Sequence, residues 1–410
     1  MPGRQPLREG FSTGSGAAAA AFAAVDRLFS TAAAPTIVSL ALPPFDLENG
    51  RLRPQCDARL PIPIHSARLF IEPRRARAQV IKDGGDDPDA THGLLLEVWA
   101  AASAEHLSTL PDDCGQAAGP LQLANNVFLS TGRGVGRVTL PGLPVLPGEP
   151  AVNPEPRRQI AFAAREAALA AGYGGPIHLF LHVPEGEKAA LKTLNARLGI
   201  LGGISILGTR GTVRPYSHDA WQATISQGLD IARALGLSSA AFSTGRNSEK
   251  ALQTLFPELP PQAFIQAADY AGFSIRRAAN FDRIIWGCYA GKLLKLAQGL
   301  EYTHANSGRP DLPWLAALVR RADGGAGLAK NITSLPTVRG AFELLERTNP
   351  PLALNILELV AKTALRTLRG WVTKAALSGR TGRADGPAPR ISLYVFHHNN
   401  SLWLRTDSYE

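Results

Sequence analysis

Ile177-His178-Leu179-Phe180-Leu181-His182-Val183, followed by Pro184-Glu185-Gly186-Glu187, opens the part of the chain that decides its fold class. A short apolar run that stops at a turn and passes into a helical pattern reads as a buried strand feeding a helix. The alternation recurs. Residues 204–207 end in Gly208-Thr209-Arg210-Gly211 before a helix expected over 220–235. Residues 240–243 end in Thr244-Gly245 before a helix over 249–255. Residues 263–267 and 284–289 each lead into a further helical stretch. Buried strands alternating with helices predict a parallel, doubly wound, Rossmann-like α/β domain. In such sheets ligands bind beyond the carboxyl ends of the strands.

Upstream of this stretch the pattern is mixed α and β. An alanine-rich helix is expected over 17–28, capped by Ser12, Thr13 or Ser15. Strands are expected over 36–42, 67–71, 78–81, 94–100 and 126–129, punctuated by Gly, Pro and Asp. Six prolines between 141 and 156 rule out a regular helix there and mark a connector before a helix over 157–171. Downstream, residues 313–377 read as helical, with an amphipathic face over 355–368. Residues 378–389 read as a basic, glycine-rich loop, and 391–396 with 402–404 as a closing hairpin. The expected organisation is multidomain, α+β then α/β: an α+β domain over 1–156, a Rossmann-like domain over 157–305, and a basic, mainly helical region over 306–410.

Composition narrows the classes. The 410 residues are 45% hydrophobic and only 19% charged, which excludes a disordered chain. The length suits about two or three domains at ~150 residues each. The net charge of +9 admits a polyanionic partner. Thirteen Lys/Arg against six acids between 306 and 390 put most of that excess in the last part of the chain. That excess reads either as a solvated helical surface or as a carboxylate-binding one. Three cysteines, Cys56, Cys114 and Cys288, without a CxxC, argue against a disulfide framework or a cysteine-rich zinc site, and a reducing cytoplasm is expected. Arg4 and Arg8 before the alanine run imitate a signal peptide, but Glu9 and the Gly10–Gly16 stretch interrupt it. No stretch of ~20 continuous apolar residues is present, so no membrane span is expected.

Two kinds of segment carry chemistry. Lys82-Asp83-Gly84-Gly85-Asp86-Asp87-Pro88-Asp89-Ala90-Thr91-His92-Gly93 gathers four carboxylates and an imidazole between two expected strands. It admits a hard-cation site, an acid/base role for Asp83, Asp86, Asp87 or His92, or an Asp-rich turn bonded to its own backbone. Its spacing does not fit a calcium loop. The second kind is glycine-rich: 12–16, 130–136 with Arg133 and Arg137, 199–203, 208–211 and Gly245. Such loops beside helix N-termini bind phosphates or carboxylates. None fits GxxxxGK[ST], and H-E-x-x-H is missing from the sequence. Scattered Trp and Tyr without basic repeats do not suggest a nucleic-acid module. His304 reads as structural or catalytic, and the His397-His398 pair as exposed hairpin residues or contacts to a ligand edge.

Taken in order, these segments resemble the cobalt-precorrin-5B (C-1)-methyltransferase family, CbiD. The resemblance is carried by Leu7-Arg8-Glu9-Gly10-Phe11-Ser12-Thr13-Gly14-Ser15, by residues 80–93, by Gly134-Val135-Gly136-Arg137-Val138-Thr139 with Pro141-Gly142-Leu143, and by Gly148-Glu149-Pro150-Ala151-Val152-Asn153-Pro154. It continues through Lys192-Thr193-Leu194-Asn195, Gly202-Gly203-Ile204-Ser205-Ile206-Leu207-Gly208-Thr209, Thr244-Gly245 with Ser248-Glu249, and Thr303-His304. Departures from the family pattern are Gly16 where a Cys is usual, Leu140 where a basic residue is usual, Glu185 in a Gly-Gly pair, and Arg210 in Gly-Thr-Thr-Gly.

The resemblance implies transfer of a methyl group from S-adenosylmethionine to C-1 of cobalt-precorrin-5B, with cobalt present only within the substrate and no protein-bound metal. It implies donor contacts at Gly186, Glu187, Gly202, Gly203, Gly208, Thr209, Gly211, Thr244, Gly245 and Glu249. The ring would face Thr13, Gly14, Arg137 and His304, with Asp83, Asp86, Asp87 and His92 handling protons. The expected partner is a small corrin precursor, not nucleic acid or membrane, and a homo-oligomer is left open. Two other classes share parts of this pattern: a tetrapyrrole carrier without catalysis, and a phosphate-handling nucleotide enzyme.

Overall fold

The computed structural model describes residues 7–115, 118–124, 126–377 and 387–407. Residues 378–386 of the expected basic loop lie outside them. The chain forms two compact units, Met1–Ser217 and His218–Glu410. Among the described residues no helix is long and apolar enough to cross a membrane.

The first unit is built on a six-stranded sheet. Its order is Ser66–Phe70, Arg75–Ile81, Leu95–Ala101, Ile177–His182, Val127–Thr131 and Ala118–Gln122. All neighbours run antiparallel except Val127–Thr131 beside Ile177–His182. One face carries helices Thr13–Phe29 and Pro154–Ala170. Ser12 caps the first helix, its hydroxyl accepting from the Ser15 amide at 3.1 Å. Alanines 17–21 are fully buried, as are Ala161, Ala163, Ala164, Ala167 and Ala168 on the second helix. Small side chains let the two helix backbones pack closely on the sheet.

Here the structure departs from the expected alternation. The run at 177–182 does not open the parallel domain; it sits between Leu95–Ala101 and Val127–Thr131 in the first unit's sheet. The expected strand at 204–207 reduces to Gly203–Ile204, paired parallel with Gly134–Val135. The helix after Pro184 spans only Gly186–Ala190. An apolar run reports burial but not the identity of the partner strand, because pairing is non-local.

The second unit contains the parallel sheet. Its order is Phe264–Gln266, Ser239–Ser243, Arg283–Tyr289 and Arg390–Phe396, all parallel, with Leu402–Asp407 antiparallel at the edge. Counted within the unit this is order 2-1-3-4 with a fifth strand, a doubly wound arrangement. Residues alternate between two cores. Phe242, Ile284, Trp286, Leu393 and Val395 face the helices His218–Ala234, Ala271–Arg277, Ala290–Ala297 and Pro350–Leu377. Ala241, Ile285, Tyr394 and Phe396 face Arg246–Leu255. The tail is helical as expected over Leu312–Arg321, Ala326–Thr333, Val338–Thr348 and Pro350–Leu377. Its final hairpin completes the sheet that begins at Ser239, so the tail belongs to the same compact unit as the parallel strands.

Candidate functional site

In the first unit the acidic loop is drawn against the segment before the first helix. Asp83 forms a two-pronged ion pair with Arg8, one bond at 3.0 Å, and accepts from the Gly85 amide at 2.9 Å. The Arg8 hydrogen bond lowers the Asp83 carboxyl to about 2, which makes Asp83 a poor proton acceptor at neutral pH. Asp86 accepts from the Arg8 amide at 2.7 Å, and Asp87 from the Tyr216 amide at 3.0 Å. Buried Lys82 donates to Asp89 at 2.8 Å, and Thr91 bonds the other Asp89 oxygen. His92 Nδ1 accepts from the Gly84 amide at 3.0 Å and lies 3.7 Å from Asp83. Each carboxylate in the loop therefore holds a local partner.

The glycine-rich segments converge on one another. Thr13 is buried; its hydroxyl donates toward the Ser205 and Leu207 carbonyls and accepts from the Leu207 amide at 2.9 Å. A Cβ at Gly14 would meet Pro156 at 2.8 Å; at Gly186, the Gly134 carbonyl at 2.2 Å; at Gly203, Gly134 at 2.3 Å; at Gly208, Ser12 at 2.2 Å; and at Gly211, Leu42 at 2.6 Å. At these glycines the space a Cβ would take is occupied by the protein's own atoms. Gly202 differs, since nothing lies within 4 Å of a Cβ there. Thr209 is exposed, Glu187 pairs with Arg133 at 3.5 Å, and exposed Arg137 bonds the Gly148 carbonyl. A Cβ at Gly16 would fall 2.4 Å from a terminal methyl of buried Leu96, so a side chain there would require Leu96 to shift.

One constellation had no local sequence signal. Glu97, His182 and Cys114 bring their ligand-type atoms within 4.8 Å of one another, all buried. His182 Nε2 lies 2.7 Å from Glu97 and 3.5 Å from Cys114 Sγ. Trp99 and Gln79 also donate to Glu97. Burial alone would raise the Glu97 carboxyl, but the bonds from His182 and Gln79 hold it below its ordinary range. Burial pushes the Cys114 thiol up to about 12. The acceptor capacity of Glu97 is already used, while the buried Nδ1 of His182 has no hydrogen-bond partner among the described residues, so the cluster is a polar network with one ring nitrogen left over.

In the second unit Thr244 and Gly245 end the strand Ser239–Ser243, and a Cβ at Gly245 meets nothing within 4 Å. Glu249 is buried and accepts from Gln266 at 2.7 Å. At the ends of the next two strands lies a cavity of about 670 Å³. Its walls include Tyr289, Gly291, Lys292, Glu346, His398 and Trp403. Lys292 pairs with Asp269 and donates to the Thr303 carbonyl at 2.9 Å. Lys295 donates to the Thr303 and His304 carbonyls at 3.1 and 2.7 Å. Burial, then repulsion from Lys292, lowers the Lys295 ammonium. Tyr289 stacks on His398 and His397 on Trp403. Thr303 lines the cavity and His304 follows it, its Nδ1 accepting from the Asn306 amide at 3.2 Å. Sequence reasoning named His397-His398 as ligand-edge contacts at most and missed Tyr289 to Lys292. The signal available was a strand passing directly into a helix that opens with Ala290-Gly291-Lys292.

The sequence model of the family CbiD matches residues 2–215, and that described as "CbiD, C-terminal domain" matches residues 302–380. A protein of Nitratidesulfovibrio vulgaris named cobalt-precorrin-5B C(1)-methyltransferase is 44% identical over 97% of this chain and 92% of its own length. One of the same name from a Bradyrhizobium species is 39% identical over 94% of each chain. A solved cobalamin biosynthesis protein (cbiD) from Archaeoglobus fulgidus is 24% identical, covering 71% of this chain and 79% of its own, with a TM-score of 0.32.

Proposed function

The chain belongs to the CbiD family, and from that premise we propose that it transfers a methyl group from S-adenosylmethionine to C-1 of cobalt-precorrin-5B, giving cobalt-precorrin-6A and S-adenosylhomocysteine. The observation that carries this reading is identity to methyltransferases of that name over nearly the whole of both chains. When bound, S-adenosylmethionine supplies an electrophilic methyl group, so the protein needs no nucleophile of its own; it aligns the reactants and excludes water. Cobalt belongs to the substrate.

The donor side of this reading is the carboxyl edge of the second unit's Rossmann-like parallel sheet, where Thr244 and Gly245 end one strand and Tyr289 to Lys292 follow the next. At Gly186, Gly203, Gly208 and Gly211 the position a Cβ would take is held by the protein's own atoms, which supports the second unit as the donor side. The candidate proton-handling groups are those of the first unit's acidic loop, taken by itself. Within that loop Asp83 is the least suited to accept a proton, because Arg8 holds it ionised, and the task passes to Asp86, Asp87 or His92. Asp87→Asn lowers turnover while S-adenosylhomocysteine binding is retained; wild-type turnover removes Asp87 from the chemistry.

The deciding assay incubates the full chain with methyl-labelled S-adenosylmethionine and cobalt-precorrin-5B. The expected result is a corrin product heavier by one methyl group. Tight substrate binding without mass gain favours a carrier instead.

A further inference from the structure

We propose that the cavity at the ends of strands Arg283–Tyr289 and Arg390–Phe396 is the pocket for the nucleoside methyl donor, an inference that rests on the methyl-transfer reading. Its place is where a parallel sheet presents ligand sites: beyond the carboxyl ends of adjacent strands. Its volume, about 670 Å³, lies in the range of pockets that enclose a small organic ligand.

The wall chemistry selects a nucleoside with a charged amino-acid tail over a polycarboxylate ring. Tyr289 and His398 stack at 5.1 Å with planes 3° apart, and His397 and Trp403 at 4.3 Å and 23°. These flat surfaces suit a purine. Glu346, 3.8 Å from His397, offers a carboxylate of the kind that accepts from a ribose diol or an ammonium group. Of the three wall cations, Lys292 pairs with Asp269, Arg339 pairs with Glu343 at 2.7 Å, and Lys295 is taken up by the Thr303 and His304 carbonyls. A ring bearing many carboxylates would need a surplus of positive charge that this wall does not present. The donor carries both signs and needs no surplus.

The pocket is also preorganised. Lys292 and Lys295 stand three residues apart on helix Ala290–Ala297 and fasten the Thr303-His304 backbone that forms one wall. The Thr303 hydroxyl bonds Asp269 at 3.2 Å. A wall held in this way costs little ordering on binding.

Gly291 provides the test. A Cβ there meets nothing within 4 Å, so Gly291→Leu fits the fold and occupies the cavity. Titration calorimetry with S-adenosylhomocysteine is run on the full chain, on Gly291→Leu, on Glu346→Gln and on Gly245→Leu, with circular dichroism confirming that each is folded. The expected result is that Gly291→Leu weakens binding by about tenfold or more, and that Glu346→Gln and Gly245→Leu each weaken it by a smaller factor. Loss at Gly245→Leu with binding intact at Gly291→Leu places the donor over the neighbouring strand and overturns the proposal. Intact binding in every variant, with turnover lost in Gly291→Leu, gives the cavity to the acceptor and also overturns it. Absence of both binding and methyl transfer in the wild type overturns the underlying reading, and this proposal with it.

Discussion

Gly203 lies against the backbone of Gly134: a Cβ on Gly203 would fall 2.3 Å from both the carbonyl carbon and the carbonyl oxygen of Gly134. The two residues face each other in a short parallel pairing. Backbone atoms cannot swing aside as a flexible side chain can.

Gly203→Ala therefore destabilises the first unit by about 1–3 kcal/mol or more, the cost of overpacking. Gly291→Ala, whose Cβ meets nothing, changes stability by no more than about 1 kcal/mol. Thermal melts of the two variants, side by side, check the contrast. Equal melting temperatures would show that the Gly134 backbone can yield.

The Arg8–Asp83 pair gives a pH signature. The Asp83 carboxyl is lowered to about 2 in the folded chain. A depressed folded value means that its contribution is present above the ordinary carboxyl range near ~4 and is lost as pH falls toward 2. Asp83→Asn is expected to melt slightly below the wild type at pH 6. The gap closes between about pH 4 and pH 2, and it also narrows in high salt because both partners are solvent-accessible. A gap that persists at pH 2 would mean that the ion pair does not stabilise the loop.

Lys82 is 1% exposed and holds Asp89 at 2.8 Å. Lys82→Met leaves a largely buried carboxylate without its cation and costs about 3 kcal/mol. The double variant Lys82→Met/Asp89→Asn recovers part of that loss, since no uncompensated charge remains. Urea unfolding of the single and double variants measures the difference. Equal losses in the two would locate the cost in packing.

Cys56 is exposed, whereas Cys114 and Cys288 are buried with thiols pushed up to about 12. A thiol-reactive chromophore should therefore label one cysteine per native chain quickly, and all three only after unfolding. Cys56→Ser should abolish the fast phase. Fast labelling of Cys114 would show that the segment covering Glu97 and His182 opens readily.

The elements legible in the sequence are those whose signal is local. Ser12 before an alanine run announces a helix start, and the structure begins the helix at Thr13 with Ser12 as its cap. The apolar runs over 240–243 and 284–289, each followed by Gly and a helical pattern, form neighbouring parallel strands. The run at 177–182 was as visible as these, but its sheet was not. Leu179 and Leu181 in one core and Phe180 and His182 on the other face fit either sheet, and only the partners Val98 and Ser130 decide between them. The Glu97–His182–Cys114 network is spread over 86 positions with no motif, so nothing local could reveal it.

The sequence by itself determined the family, because that depends on an ordered set of residue identities, and it determined the helices and strands whose caps and periods are local. The tertiary structure decided what the glycines are for. A glycine looks the same in a sequence whether its missing side chain leaves space for a ligand, as at Gly291, or for another backbone, as at Gly203. Only the neighbour across the gap distinguishes them, and that neighbour is set by long-range packing. The cavity arises in the same way: Tyr289 and His398 are 109 positions apart in the chain and come together because their strands are adjacent in the sheet.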